Sequence, residues 1–341
     1  MPRLRDLNPD LSEHMPTGPL NAITDVGGVR VGHVTLAPDD KPHIRTGVTA
    51  VLPHGGNLFH EKVYAAVHAM NGFGKATGFE QVRELGTIEA PIVLTNTLSV
   101  GAALDATFAW MVQHNPEIAH NGGGSVNVLV AECNDSYLND MRGFHITQEH
   151  VWTAIESASG GLVTEGAVGA ATGTQCYQFK GGVGTASRMM PENIGGYTVG
   201  ALVQTNMGKR KHLRVLGARV GKHLTDEFMP TPPPGSIIII LATDAPCSPS
   251  QLARVARRAP FGLARTGTTC AAGSGDFAIA FSTARTMGLP ETDDVLDELF
   301  TATVEAVEEA ILNALLQAHT VTGKDGNTLH GFPVERLAGL L

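Results

Sequence analysis

The sequence predicts a mixed α/β protein in which buried strands alternate with amphipathic helices. Short β-branched runs recur in glycine-rich surroundings, with 40 glycines in 341 residues. Helical patterns with recognisable start signals lie between those runs. No internal repeat or low-complexity tract interrupts the alternation.

In chain order, "GVTAVLPH" from Gly47, "APIVLTNT" from Ala90 and "SVNVLVAEC" from Ser125 read as buried strands by length and composition. "FHEKVYAAVH" sets His60 and His68 at a spacing compatible with one helix face, though not with a metal motif. "SVGAALDATFAWMVQH" from Ser99 has helix-forming composition. "SIIIILATDA" from Ser236 and "DFAIAFSTA" from Asp276 read as core strands, neighbours in one sheet.

In "SPSQLARVARRA", Ser248 is the predicted N-cap, Pro249 takes the first helical position and Gln251 completes a capping box. The arginines of "RVARRAPFGLAR" then read as the solvated side of one helix. From Thr292, the residues Leu296, Leu299, Phe300, Val304, Val307, Ile311 and Leu315 give the clearest helix, with acids early and His319 late. One exposed, polyproline-like linker stands in mid-chain, "TPPPG" at residues 231–235.

A formal net charge of −9 without long runs of one sign argues against a nucleic-acid partner, which requires a basic face. Cys133, Cys176, Cys247 and Cys270 have neither disulfide-scaffold nor metal spacing, so a reducing compartment is expected. No signal-peptide core and no long apolar stretch is evident, which predicts a soluble cytoplasmic protein with no membrane partner. The common phosphate-loop, dinucleotide, zinc-protease and nucleophile-elbow motifs are absent, and neither metal nor cofactor is expected. The glycine-rich "GAVGAATGTQC" and "FKGGVGTASR" read as tight turns beside a sheet.

The sharpest chemical signal is Ser236, a hydroxyl placed between the proline linker and the isoleucine strand. A serine hydroxyl is a poor nucleophile unless a base sits beside it. An N-terminal serine carries its own base, because the α-amine titrates near ~7.7–8. Gly235 is the least hindered residue for attack by the Ser236 hydroxyl on the preceding carbonyl. An N-to-O acyl shift followed by ester hydrolysis would leave Ser236 as a new N-terminus on a core strand.

Taken together, "GSIIIILATDAP", "RRAPFGLARTG", "GSGDFAIAFSTA" and "FKGGVGTASR" resemble the DmpA-type L-aminopeptidase/D-esterase family, which includes β-peptidyl aminopeptidases and nylon-oligomer hydrolases. The likeness runs through "LNAITDVGGVRVGH", "IRTGVTAVLP", "LTNTLSVG" and "AECNDSYLND", in the expected order over nearly the whole chain. It implies a four-layer αββα sandwich resembling the N-terminal-nucleophile hydrolases, with the connectivity of ornithine acetyltransferase. It further implies one domain, residues 1–341, that cuts itself into an α chain 1–235 and a β chain 236–341, assembled as a homotetramer without a cofactor.

The resemblance assigns Ser236 as nucleophile, with Ser274 and Asp276 positioning it and its amine. Asn206 becomes the oxyanion donor and Glu132 the group that grips the substrate ammonium. Family members often place an aromatic residue soon after this glutamate. Here Asn134 and Tyr137 are the candidates, and Lys180 matches a lysine lining the nylon-oligomer site. The expected activity is release of N-terminal residues from short peptides, amides or esters. Two alternatives are acyl transfer of the ornithine acetyltransferase type, where the nucleophile is threonine, and binding without turnover.

Overall fold

The run of isoleucines does not alternate with polar residues because both of its faces meet apolar layers. Ile237, Ile239 and Leu241 pack toward one set of helices, while Ile238, Ile240 and Ala242 face a second sheet. The computed structural model describes the chain except residues 9–10, 12–14, 226–228, 233–234, 291 and 341.

A four-stranded sheet contains β1 (Arg30–Leu36), β2 (Thr46–Leu52), β5 (Ile92–Asn96) and β6 (Leu129–Cys133), in the order β1-β2-β5-β6. A six-stranded sheet contains β3 (Val63–Gly72), β4 (Thr87–Ile88), β9 (Val183–Met189), β10 (Thr198–Asn206), β11 (Ser236–Thr243) and β12 (Gly275–Ser282). Its order is β4-β3-β12-β11-β10-β9. A small hairpin of β7 (Gln175–Cys176) and β8 (Phe179–Lys180) precedes β9.

The outer layer of the four-stranded sheet is α3 (Val100–His114) and α4 (Gln148–Glu156), where Ala103, Met111, Val151 and Ile155 meet Val48, Val93 and Val130. Between the sheets, Val51, Ile92, Leu94 and Leu129 meet Val67, Leu202, Ile238, Ile240 and Phe281. The outer face of the six-stranded sheet carries α5 (Pro249–Ala256), α6 (Ala259–Arg265) and α7 (Asp293–Leu316), through Leu252, Leu263, Leu299, Val307 and Ile311. The layers therefore run helix, sheet, sheet, helix, as the resemblance implied. Short helices α1 (Leu4–Leu7) and α2 (Phe79–Leu85) complete the set.

Each sheet contains one parallel pair, β5 with β6 and β11 with β12. Parallel neighbours need a crossover, and α3 and the α5–α6 pair supply the two. The N-terminus of α5 follows the expected pattern: Ser248 Oγ accepts from Gln251 N at 3.3 Å and Gln251 Oε1 accepts from Ser248 N at 2.8 Å.

Three local readings are corrected by the fold. His68 lies on β3 and His60 in the turn before it, so they share no helix face; the apolar "VYAAV" is drawn into the sheet by pairing with β12. The arginine-rich segment forms two short helices rather than one, with Pro260 in the first turn of the second. Its arginines are not simply solvated: the Arg254 and Arg258 guanidiniums lie over the Phe300 ring, at 5.2 and 3.8 Å from its centroid. Helix α7 ends at Leu316, leaving His319 beyond it. Of the expected linker, Pro233 and Pro234 lie outside the described residues.

Among the described residues no helix is long and apolar enough to cross a membrane. The four cysteines are unpaired, three of them buried. Ile239 is fully enclosed on the helix-facing side of the central strand. Ile239→Ala is expected to destabilise the fold by about 2–5 kcal/mol, read as a lower urea midpoint.

Candidate active site

The central strands deliver polar residues to one edge through their register. β10 and β11 pair antiparallel with Asn206 opposite Ser236, and β11 and β12 pair parallel with Ile237 opposite Asp276. Asn206, Ser236 and Asp276 thus stand side by side at neighbouring strand ends. On the facing sheet β6 brings Glu132 to its own C-terminal end, one residue before Cys133. Cys133 Sγ touches Gln204 O at 3.5 Å and ties that end of β6 to β10.

Ser236 is nearly enclosed, and its Oγ accepts a hydrogen bond from Gly275 N at 3.1 Å. A Cβ at Gly275 would fall 2.5 Å from Gly74 Cα and 3.2 Å from Ser236 Oγ, so only glycine allows this approach. Gly74 in turn lies against Glu132 Oε1, where an added Cβ would stand 3.5 Å away. The Gly74–Gly275 pair therefore adjoins both the serine hydroxyl and the glutamate. Glu132 is buried; Oε1 accepts from Lys75 N at 3.0 Å, and Oε2 accepts from the Thr97 hydroxyl.

Gly235 is pressed against the end of β10. A Cβ there would lie 1.4 Å from Asn206 O and 3.0 Å from Asn206 Nδ2. The Asn206 amide is oriented by two partners: Oδ1 accepts from Gln175 N at 3.2 Å, and Nδ2 donates to Asn134 O at 2.7 Å. An amide nitrogen has two donors, and one of the two on Asn206 Nδ2, which lies close to Gly235, is left after the bond to Asn134 O.

Asp276 Oδ1 accepts from Ser274 Oγ at 2.7 Å, while Oδ2 is buried without a partner among the described residues. Burial pushes this carboxyl above its ordinary range, opposed by the Ser274 and Cys270 side chains beside it. A bulge in the pairing with β3 sets its direction: Asp276 is opposite Asn71 but Phe277 is opposite Ala69. Asn71 Nδ2 holds the preceding loop by donating to Ala271 O at 2.9 Å and Ser274 O at 2.6 Å.

The remaining predicted residues lie differently. Lys180 is fully buried and does not line the cleft beside Gly235; its ammonium donates to the carbonyls of Ala171 (3.0 Å), Thr174 (2.8 Å) and Gly181. Burial pulls its pKa down to about 7. Asn134 meets Asn206 through its backbone, and its side chain accepts from Ser136 N at 2.9 Å. Tyr137 is half-buried beside Leu138, Ala167, Val321 and Leu329, away from the lining of that cleft. Residues that sequence reasoning missed include Gly74, Thr97, Gln175 and Asn71. Thr97 lies inside "LTNTLSVG" and Gln175 inside "GAVGAATGTQC", but nothing local marks either as a partner of Glu132 or Asn206.

Layering of this kind, helix–sheet–sheet–helix with a serine opening a central strand, defines a variant of the N-terminal-nucleophile hydrolase fold. Residues 21–329 match the model of peptidase family S58, and the chain belongs to that family; it is an aminopeptidase, a hydrolase of peptide bonds. It is similar to the β-peptidyl aminopeptidase BapA of Sphingosinicella microcystinivorans, with 41% identity over 100% of this chain and 92% of the relative. A Burkholderia sp. β-aminopeptidase structure is 42% identical with a TM-score of 0.91, covering 100% of this chain and 98% of that one. The L-aminopeptidase D-Ala-esterase/amidase of Ochrobactrum anthropi, described as a variant among the Ntn hydrolase fold, is 40% identical with a TM-score of 0.88 and the same coverage.

The Gly235 contact leaves no room for a methyl group. Gly235→Ala is expected to part the ends of β10 and β11 and cost about 1–3 kcal/mol, measured as a lowered denaturant midpoint.

Proposed function

We propose that the chain, one αββα domain, cuts itself between Gly235 and Ser236 and then uses Ser236 as an N-terminal nucleophile. The observation that carries this reading is the position of the Gly235–Ser236 peptide. It lies at the head of the central strand, with the Asn206 amide on one side and the Ser274–Asp276 pair on the other. In the cut, Oγ attacks the Gly235 carbonyl, the C–N bond breaks and the nitrogen takes the hydroxyl proton. Water then hydrolyses the ester and leaves a free α-amine on Ser236.

In turnover, Glu132 binds the substrate ammonium and the Ser236 amine accepts the Oγ proton as Oγ attacks the substrate carbonyl. The Asn206 Nδ2 donor stabilises the oxyanion without titrating. The amine passes its proton to the departing nitrogen, and water releases the acyl group from the ester. Asn134 supports Asn206 through its carbonyl, and Lys180 supports it through the Thr174–Gln175 peptide. The substrates we assign are short peptides, amides or esters with a free amine. N-terminal β-residues are included, on the strength of the two β-aminopeptidase relatives. The unpaired cysteines favour a cytoplasmic setting, and the family resemblance favours a tetramer of αβ units.

Intact mass under denaturing conditions tests the cut. Wild type should give two fragments meeting at Gly235/Ser236 and Ser236→Ala one full-length chain; an uncut wild type after prolonged incubation would refute it. A second test uses pH. A carboxylate beside the amine favours its charged form and raises its pKa, while turnover needs the neutral amine. Asp276→Asn should therefore move the acidic limb of kcat/KM to lower pH.

A further inference from the structure

Resting on the aminopeptidase reading, we propose that the cleft beyond Ser236 selects leaving groups that carry a carboxylate. Its ligand chemistry is the free C-terminus of a short peptide or an acidic side chain in that part of the substrate.

The cleft, of about 590 Å³, is walled by Gly235, Ser274, Gln175, Met207, Lys209 and His212 among others. Neither Glu132 nor Ser236 is in its lining, but Gly235, the residue before the nucleophile, and Ser274, the partner of Asp276, are. In the proposed pose, a substrate with its ammonium at Glu132 and its carbonyl carbon at Ser236 extends its leaving portion toward this cleft, which opens beside Gly235. His212 and Thr269 also line an adjoining hollow of about 300 Å³, whose other walls include Lys211, Arg214, Arg219 and Lys222.

This concentration of cations is out of keeping with a chain of net charge −9. Elsewhere Arg188, Arg265, Arg3 and Lys62 each pair with a glutamate, while Arg254 and Arg258 lie over the Phe300 ring. Lys209, Lys211, Arg214, Arg219 and Lys222 form no ion pair with any described carboxylate, and no described acidic residue lines either hollow. Cations gathered around one hollow raise its positive potential, which an anion would offset. The backbone keeps them together: Arg214 N donates to Thr266 O at 2.9 Å, and Gly267 packs on His212 O with no room for a Cβ. A concave basic rim also focuses field into the cleft and raises the local concentration of an anionic substrate.

The test compares one acyl residue with several leaving groups. β-Alanyl-glycyl-glycine is assayed as the free acid and as the C-terminal amide, with β-alanyl-glycyl-aspartic amide as the side-chain arm and β-alanyl p-nitroanilide as the neutral control. Wild type should favour the acid over the amide by about 5- to 10-fold in kcat/KM, mostly through KM, the size expected of a few partly exposed ion pairs. That preference should fade in about 0.5 M salt. It should also fade in the triple variant Lys211→Gln/Arg214→Gln/Arg219→Gln, with p-nitroanilide turnover unchanged.

If the aspartic amide is favoured equally, any carboxylate serves; if only the free acid is favoured, the C-terminus is the ligand. Turnover with acid and amide within twofold, or a preference that the triple variant retains, overturns the proposal while the aminopeptidase reading stands. Should wild type be inert toward all four, the same comparison is made with L-alanyl in place of β-alanyl; inertness toward that series as well would overturn both.

Discussion

Everything at the candidate site depends on the register of β11 between β10 and β12. Four successive isoleucines, Ile237 to Ile240, are buried on both faces, so a one-residue slip would exchange like for like. The apolar pattern that drives this strand into the core therefore cannot say which residue pairs with which. The polar ends do. At one end Gly235 fits against Asn206, and Ser236 Oγ meets Gly275 N at 3.1 Å. At the other, Thr283 N donates to Thr243 O at 2.8 Å and Thr198 N to Asp244 Oδ1 at 2.8 Å. The same contacts that define the site thus define the alignment of the sheet around it.

A second constraint lies beneath the site, where ionisable groups are buried. Asp135 is fully enclosed, and burial pushes its carboxyl up to about 7; Lys180 is fully enclosed nearby. Burying such groups is costly unless their hydrogen-bonding capacity is met. Three carbonyls match the three donors of the Lys180 ammonium. Two of them belong to residues 171 and 174, in the segment that leads into β7. The peptide that presents the Thr174 carbonyl to Lys180 presents the Gln175 N–H to Asn206 Oδ1. Lysine, peptide and asparagine form one hydrogen-bonded chain, so the buried lysine holds the peptide that orients the Asn206 amide. Apolar packing above and below this layer offsets its cost.

How much of this was legible depended on whether a signal was local. The start of α5 could be read because Ser248, Pro249 and Gln251 are within one turn of each other, and the structure reproduces that cap. The adjacency of β11 and β12 followed from two solid apolar runs. By contrast "VYAAVH" is too short for its period to separate strand from helix, and tertiary pairing decided for the strand. Ser236 was visible as a hydroxyl between linker and strand. The contacts around it were not, since they join residues far apart in sequence: Lys75 with Glu132, Gln175 with Asn206, Gly74 with Gly275. Only the family resemblance could place Asn206 and Glu132 in advance. It could not show that the Lys180 ammonium is enclosed by backbone carbonyls, one of them on the Thr174–Gln175 peptide.

The topology also explains why a break before β11 need not take the protein apart. Residues 1–235 supply all four strands of the first sheet and β3, β4, β9 and β10 of the second; residues 236–341 supply β11, β12 and α5–α7. In the strand order β4-β3-β12-β11-β10-β9, the two later strands are inserted between strands of the earlier segment. Neither segment can close the six-stranded sheet alone, and each contributes to the apolar layers on both sides of it. Separating them would break two interior ladders, exposing an edge of each of β3, β12, β11 and β10, and both apolar faces of the isoleucine strand. A cut at the edge, where Gly235 is the last residue before the ladder begins, removes one covalent link and none of the pairing that positions Ser236.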